Sequence, residues 1–403
     1  MAQMTAPCLT LDISRLLSRS GEAVPTGIDR VELAYAEYLM REAPERTEFV
    51  ALHPLGRFGA LNFEVTSWFI RTLSERWNRA TEDDGRAARA GRRVLHRQIL
   101  LGPDRSLRAA QGRSAYLLLS HHHLTRPRVI ARTLSRRPTA FVPMVHDLIP
   151  SDYPEYARPK EPAKHLRRIE TVARFADGIL VPSQAVRQSV LPHLQRAGRS
   201  HVPVQVVAHG VHLPDIAPGP VARAGRPYFV CLGTIEPRKN HLLLLNIWRR
   251  LVEVLGEKAP RLILVGKRGW ENENVIDMIE RCPALQGVVE EHSALPDEQV
   301  TQLLLGARAL LFPSFVEGFG LPLAETLALG VKVVCSDIPV FREIAGDAAE
   351  FLDPLDGLGW MQAIIRRTFE ENVEPTIAWQ ANGWQESVED AMRFVESVAS
   401  ALV

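Results

Sequence analysis

Cysteine is scarce: Cys8, Cys231, Cys282 and Cys335 are the four in 403 residues. They lie far apart and form no C-x-x-C pair, which argues against a disulfide framework and against a cysteine zinc site. Buried reduced thiols are the expectation. No stretch approaches the roughly eighteen apolar residues of a membrane span. The opening MAQMTAPCLTLDISRLLSRS has no basic segment followed by a long apolar run, so a cytoplasmic location is expected. Neither sign of charge prevails, with 48 basic against 47 acidic residues, and no nucleic-acid partner is expected. No G-x-G-x-x-G falls between a strand and a helix, which sets aside a nicotinamide dehydrogenase.

What is present is the balance of a soluble globular protein, 46% apolar and 24% charged, at a length suited to two domains. In the second half, short β-branched runs at 228–234, 261–266, 307–314 and 331–337 alternate with amphipathic segments such as HLLLLNIWRRLVEVL at 241–255. That rhythm predicts parallel β-α-β units and a doubly wound α/β sheet. The first half repeats it less cleanly, with strands expected at 115–120, 139–147, 178–183 and 204–210. The proline- and glycine-containing segment 211–227 reads as the linker.

Ligands of open α/β sheets sit beyond the carboxyl ends of the strands. After the 228–234 strand comes Gly233-Thr234-Ile235-Glu236-Pro237-Arg238-Lys239-Asn240, directly before a helix. Two cations beside unpaired helix N–H groups suit a diphosphate; a surface basic pair near a helix cap is the plain alternative. After the 307–314 strand comes FVEGFGLPLAE. Gly318 and Gly320 allow close backbone approach, and Pro322 suits the first turn of a helix starting near Leu321, with Glu325 on its first turns. Glu317 precedes that helix, so the two carboxylates can reach different parts of one elongated ligand.

These motifs, Glu317 and Glu325 within EGFGLPLAE, GTIEPRKN, GKRGW at 266–270 and HDLIPSDYPEY from His146, resemble the retaining glycosyltransferases of family 4, of GT-B fold. The resemblance covers the last 260 or so residues well, and TGIDRVE from Thr26 looks like the family's glycine loop. It implies two Rossmann-like domains facing a central cleft: 1–220 for the acceptor and 226–383 for the nucleotide-sugar donor, with the 384–403 helix packing back on the first. By resemblance, Lys239 and Arg238 bind the donor diphosphate. Glu317 and the backbone of Gly318, Phe319 and Gly320, at the Leu321 helix start, contact the donor sugar, and Glu325 holds the ribose. His146 approaches the transferred sugar, while Gly27 lets the backbone near the diphosphate, domain closure bringing both to Glu317. Many relatives have Arg where this chain has Thr234, which leaves Arg238 to supply that charge.

No two aspartates are two positions apart, so the Asp-x-Asp metal site of other glycosyltransferases is absent from the sequence, and metal-independent transfer is expected. The donor expected from the HDLIP and PRKN variants is GDP-mannose. The acceptor expected is a glycan or undecaprenyl-linked saccharide of bacterial surface polysaccharide assembly. A catalytically idle, sugar-nucleotide-binding subunit is the competing reading. His121-His122-His123 reads as a polar loop facing the acceptor rather than a metal site, because adjacent side chains of an extended run diverge. Asp147 and Asp152 either orient the acceptor or cap a turn. Trp270 reads as a packing residue before a base-stacking platform, and Trp384 as a core anchor. Between Arg71 and Arg113 there are eleven arginines against five acidic residues. This stretch is a solvated helical face or a peripheral contact with an anionic inner membrane.

Overall fold

The computed structural model describes residues 6–78, 85–101, 113–135, 138–211, 225–370 and 379–402. The expected linker lies for the most part outside the described residues. The chain divides into two compact units: Met1–Asp152, Pro159–Gly210 and Asn382–Val403 form the first, and Tyr153–Arg158 with Val211–Ala381 the second. Residues 153–158, inside the range expected for the N-terminal domain, thus cluster with the second unit.

Unit 1 is built on strands β1 (Cys8–Asp12), β2 (Thr47–Leu52), β3 (Phe58–Ala60), β4 (Ser114–Leu118) and β5 (Ala140–Pro143), in spatial order β3-β2-β1-β4-β5. All neighbours run parallel except β2 and β3, which are joined by a turn in which His53 N–H donates to Arg57 O at 2.8 Å. A bridge from Met144 to Leu180 leads on to β6 (Ile179–Val181) and β7 (Val204–Val206). Strands β4 and β5 are buried at every position, as expected of strands covered on both faces. The helix Trp384–Ala401 buries Val388, Ala391, Met392, Val395, Val398 and Ala399 at helical spacing, and these join the core of Leu9, Leu11 and Leu117. Trp384 packs partly buried on that core with its ring 6.0 Å from that of His209, and Ser387 Oγ donates to Ala208 O at 2.6 Å.

Unit 2 has β8 (Tyr228–Leu232), β9 (Arg261–Val265), β10 (Val289–His292), β11 (Leu310–Phe312), β12 (Val333–Ser336) and β13 (Glu350–Leu352) in spatial order β10-β9-β8-β11-β12-β13, all parallel. The order reverses between β8 and β11, which is where a doubly wound sheet opens a ligand crevice at its carboxyl edge. The helix His241–Leu255 turns Leu244, Leu245, Ile247, Trp248 and Leu251 onto the sheet. The buried indoles of Trp248 and Trp360 each donate to a carbonyl, Pro260 O at 2.8 Å and Asp353 O at 2.9 Å, so neither leaves an unpaired N–H.

A Cβ added at Gly210 would collide with the backbone of Trp384. Gly210→Ala is therefore expected to destabilise unit 1 by about 1–3 kcal/mol. Gly21, whose Cβ would meet nothing within 4 Å, serves as control. Urea unfolding of Gly210→Ala and Gly21→Ala against the wild type checks it, and equal midpoints would refute the close packing.

Candidate functional site

The loops after β8 and β11 flank the reversal point of unit 2. After β8, Ile235 N–H donates to Lys267 O at 2.9 Å, tying this loop to the one after β9. A Cβ at Gly266 would run into the carbonyl of Gly233, so the two strand ends meet backbone to backbone. Thr234 lies half-buried, and a Cβ at Gly269 would stand 2.7 Å from its Cγ2. Pro237–Lys239 form a single 3-10 turn that delivers both cations beside the helix His241–Leu255.

The cations converge on one carboxylate. Lys239 Nζ is 2.5 Å from Glu317 Oε1, and Arg238 Nη1 is 2.6 Å from Glu317 Oε2. Arg238 Nε also pairs with the buried Glu236 at 2.7 Å. The backbone fixes the same join: Phe315 N–H donates to Arg238 O at 2.8 Å, and Arg238 Nη1 donates to Val316 O at 3.2 Å. Burial alone would raise the pKa of Glu317, but the two cations outweigh it and hold the group at about 2. Burial pulls Lys239 below its ordinary value, against the opposing pull of Glu317. Lys239 Nζ also stands 4.8 Å over the ring of Phe312, which stacks on Phe341.

Downstream, Gly318, Phe319 and Gly320 are buried. Gly320 has φ +106 and caps the helix Leu321–Ala328 from the left-handed region, where a Cβ would also press on Phe341 at 2.9 Å. Pro322 sits in the first turn, and Glu325 is half-buried on the helix. Trp270 does pack: its indole donates to Tyr156 O at 3.1 Å, and the Arg158 guanidinium lies over its ring at 5.0 Å. Tyr156 in turn stacks on Phe315, rings 5.6 Å apart.

His146 and Gly27 belong to unit 1. His146 follows β5, is buried, and donates from Nε2 to Leu119 O at 2.6 Å; burial, only partly opposed by that bond, lowers it to about 4, so it is neutral near pH 7. Its ring stands 5.6 Å from those of His121 and His209, and His121 lies 5.2 Å from His165. The histidine run is therefore no uniform solvent loop. His122 is exposed, but His123 turns inward, with Nε2 at 3.1 Å from Tyr116 Oη, which itself donates to Asp12 at 2.8 Å. Gly27 is exposed and opens the helix Gly27–Glu42, where Thr26 and Asp29 form a reciprocal capping box and Arg15 Nε reaches Asp29 at 2.6 Å. Asp147 accepts from Ile149 N–H at 3.0 Å and so caps a turn, while Asp152 is exposed. Glu236, Arg15, Asp12 and Tyr116 escaped sequence reasoning; only Glu236, two residues before Arg238, carried a local signal.

Residues 215–354 match the family model described as glycosyl transferases group 1. Over 133 residues the chain is 40% identical to the O-antigen chain mannosyltransferase B of Escherichia coli, covering 33% of this chain and 34% of that protein. Over 283 residues it is 29% identical to the serotype-specific mannosyltransferase WbdA of Escherichia coli, covering 64% of this chain and 34% of the relative. The chain thus spans about a third of the length of these curated relatives. Among solved structures, Anabaena Alr3699/HepE in complex with UDP and glucose superposes with a TM-score of 0.61 at 15% identity, over 98% of this chain and 99% of that one. The α,α-trehalose 6-phosphate synthase of Burkholderia multivorans gives 0.60 at 13% identity, over 99% and 100%. The fold is GT-B, and the match to the group 1 model falls in its second unit.

Because the folded pKa of Glu317 is depressed from 4.5 to about 2, its stabilising charge is fully present above pH 4.5 and is lost as pH falls toward 2. Glu317→Gln leaves the nearly enclosed Lys239 facing a neutral amide and Arg238 with Glu236 alone, and is expected to cost about 3–5 kcal/mol near pH 7. The gap between wild type and variant should close as pH drops through that window. Urea unfolding at several pH values measures it, and a constant gap would contradict the ion pair.

Proposed function

We propose that this chain is a retaining, metal-independent glycosyltransferase of bacterial surface polysaccharide assembly. It moves a hexose, mannose in the first instance, from GDP-mannose to a glycan or undecaprenyl-linked acceptor, working as a peripheral protein on the cytoplasmic face of the inner membrane. The reading proceeds from the group 1 domain and from the names of the matched mannosyltransferases. The observation that carries it is the convergence of Arg238 and Lys239 on Glu317 at the strand-order reversal.

In the proposed reaction the bond from the anomeric carbon to the β-phosphate oxygen breaks ahead of attack, and the acceptor oxygen then adds to that carbon from the face the phosphate has left. Negative charge grows on the departing diphosphate. Arg238, Lys239 and the N–H groups of the helix Leu321–Ala328 receive it, the two cations after phosphate oxygens have replaced the carboxylate oxygens they now hold. Glu317 and the backbone of Gly318, Phe319 and Gly320 hold the sugar, Glu325 holds the ribose, and Thr234 lines the diphosphate. His146 meets the sugar as a neutral imidazole, and Gly27 admits the diphosphate. A carboxylate held by two cations with a pKa of about 2 is a weak nucleophile, which disfavours double displacement through Glu317. A short-lived oxocarbenium-like ion pair, with the leaving phosphate taking the acceptor proton on the same face, accounts for retention.

A catalytically idle nucleotide-sugar-binding subunit is the second reading, favoured by Thr234 at the position where the resemblance leads one to expect an arginine, and by the prior engagement of Arg238 with Glu236.

A thermal-shift screen of nucleoside diphosphates and their sugars is expected to single out GDP and GDP-mannose, because a bound donor raises the melting temperature by mass action. GDP release with acceptor present should survive a chelator and fall about 100-fold or more in Lys239→Ala and Glu317→Ala. Equal release by wild type and Glu317→Ala would overturn the enzyme reading, and an inverted anomeric product by NMR would overturn retention.

A further inference from the structure

The proposed donor site leaves unexplained a basic face of unit 1. The helix Arg86–Leu101, RAARAGRRVLHRQILL, carries five arginines and no acidic residue. It buries Ala88, Gly91, Leu95 and Ile99, and its exposed positions are Arg86, Ala90, Arg93, Val94, Arg97 and Leu101. At 3.6 residues per turn those six fall within an arc of roughly 100°. Within that arc the arginines take one side, while Ala90, Val94 and Leu101 take the other.

The apolar side continues beyond the helix. A Cβ at Gly91 would stand 2.8 Å from the indole of Trp68, so the absence of a side chain there seats that ring against the helix, and Trp68 still keeps 47% of its surface exposed. Leu101 is 71% exposed and Val94 48%. At the helix's C-terminal end the His53–Arg57 turn is bound on: Arg57 Nη1 donates to Leu100 O at 2.5 Å, and the His53 and His96 rings lie 4.9 Å apart. That turn presents Leu55, 79% exposed, and because His96 lies about 60° past Arg93 it joins the helix on the arginine flank. Solvated helical faces do not ordinarily gather three large apolar side chains beside a row of arginines.

The geometry points to this face, Trp68, Val94 and Leu101 with Arg93 and Arg97, as the surface through which unit 1 lies on an anionic lipid bilayer. The helix lies in the headgroup plane, its apolar edge and the indole enter the acyl boundary, and the guanidinium groups meet lipid phosphates. The charge complementarity commits the occupant: a helix without a carboxylate suits a surface of negative headgroups, and arginine pairs with phosphate bidentately. The inference rests on the proposed function only for the choice of the inner membrane, since binding to vesicles requires no turnover.

The test is co-sedimentation of the full chain with phosphatidylcholine vesicles containing phosphatidylglycerol, against pure phosphatidylcholine. Binding is expected to the anionic vesicles alone and to weaken as salt rises. Neutralising each arginine should lower the partition coefficient about fivefold, so Arg93→Gln with Arg97→Gln gives about 25-fold. Val94→Ser with Leu101→Ser should weaken binding at every salt concentration, and Arg281→Gln, on an exposed arginine of unit 2, should change nothing. Circular dichroism and the nucleotide-induced thermal shift confirm that each variant is folded. Absence of binding to anionic vesicles, or unchanged binding in the double arginine variant, overturns the inference. So does an apolar variant that abolishes self-association without affecting vesicle binding, which would assign the face to a second copy. Vesicle binding retained by a protein that shows no nucleotide response upholds the face and counts against the donor reading alone.

Discussion

Glu317 is almost enclosed, with 8% of its side chain exposed, and still holds its charge because two cations meet its two oxygens separately. Desolvating a carboxylate and two cations costs several kcal/mol per ion, and only close pairing with well-placed hydrogen bonds offsets that. The pairing therefore dictates the positions of both loops. Arg238 cannot shift without breaking its carbonyl's bond from Phe315 N–H and its own donation to Val316. Lys239 is fixed again from below by the Phe312 ring, which packs on Phe341. Phe341 in turn fills the space that a side chain at position 320 would need. The left-handed turn at Gly320 and the direction of the following helix thus belong to the same packed assembly as the ion pair.

Unit 1 handles polar groups at its carboxyl edge in the opposite way. Burial pushes His121, His146 and His209 downward, so they stand as neutral rings that donate to carbonyls or pack on one another. For His146 the folded value near 4 lies below the ordinary 6.5, so its contribution to stability is present above 6.5 and lost as pH falls toward 4. Burial, with the nearby charge of Asp12, raises Glu32 to about 8 and keeps it protonated near neutrality. These groups of unit 1 stay neutral where Glu317 stays charged, although Arg15 and Arg19 pair elsewhere in unit 1 with the buried Asp29.

Local sequence announced local structure, and contacts made only by the fold it did not. Gly318, Gly320, Pro322 and Glu325 were legible because a turn, a helix start and a following carboxylate are local properties. The helix at 241–255 was legible for the same reason, its apolar spacing matching the observed bounds. The bond from Lys239 to Glu317 spans 78 positions, and nothing local distinguishes that carboxylate as its partner. Short or polar strands were missed: β10 reads VEEH, β13 is only three residues long, and β1 alternates where its neighbours run apolar. The Arg-rich stretch left two readings open because composition does not say which residues of a helix face outward. The position of Gly91 beneath Trp68 supplies that orientation.

The charges around Glu317 bear on how the proposed reaction would begin. Arg238 and Lys239 balance Glu236 and Glu317, so an arriving diphosphate meets a cluster of no net formal charge. Attraction then requires exchange: a phosphate oxygen takes the place of a carboxylate oxygen on one or both cations. Glu317 is the carboxylate shared by both, and each exchange at Lys239 or Arg238 returns one of its oxygens to other partners. Those oxygens precede Gly318 and Gly320, where the sugar is proposed to lie, and sugar hydroxyls can donate to them. Diphosphate binding and sugar recognition would be coupled through that single side chain, because its charge, pinned by two cations, becomes an acceptor for hydroxyls only as the phosphates replace it.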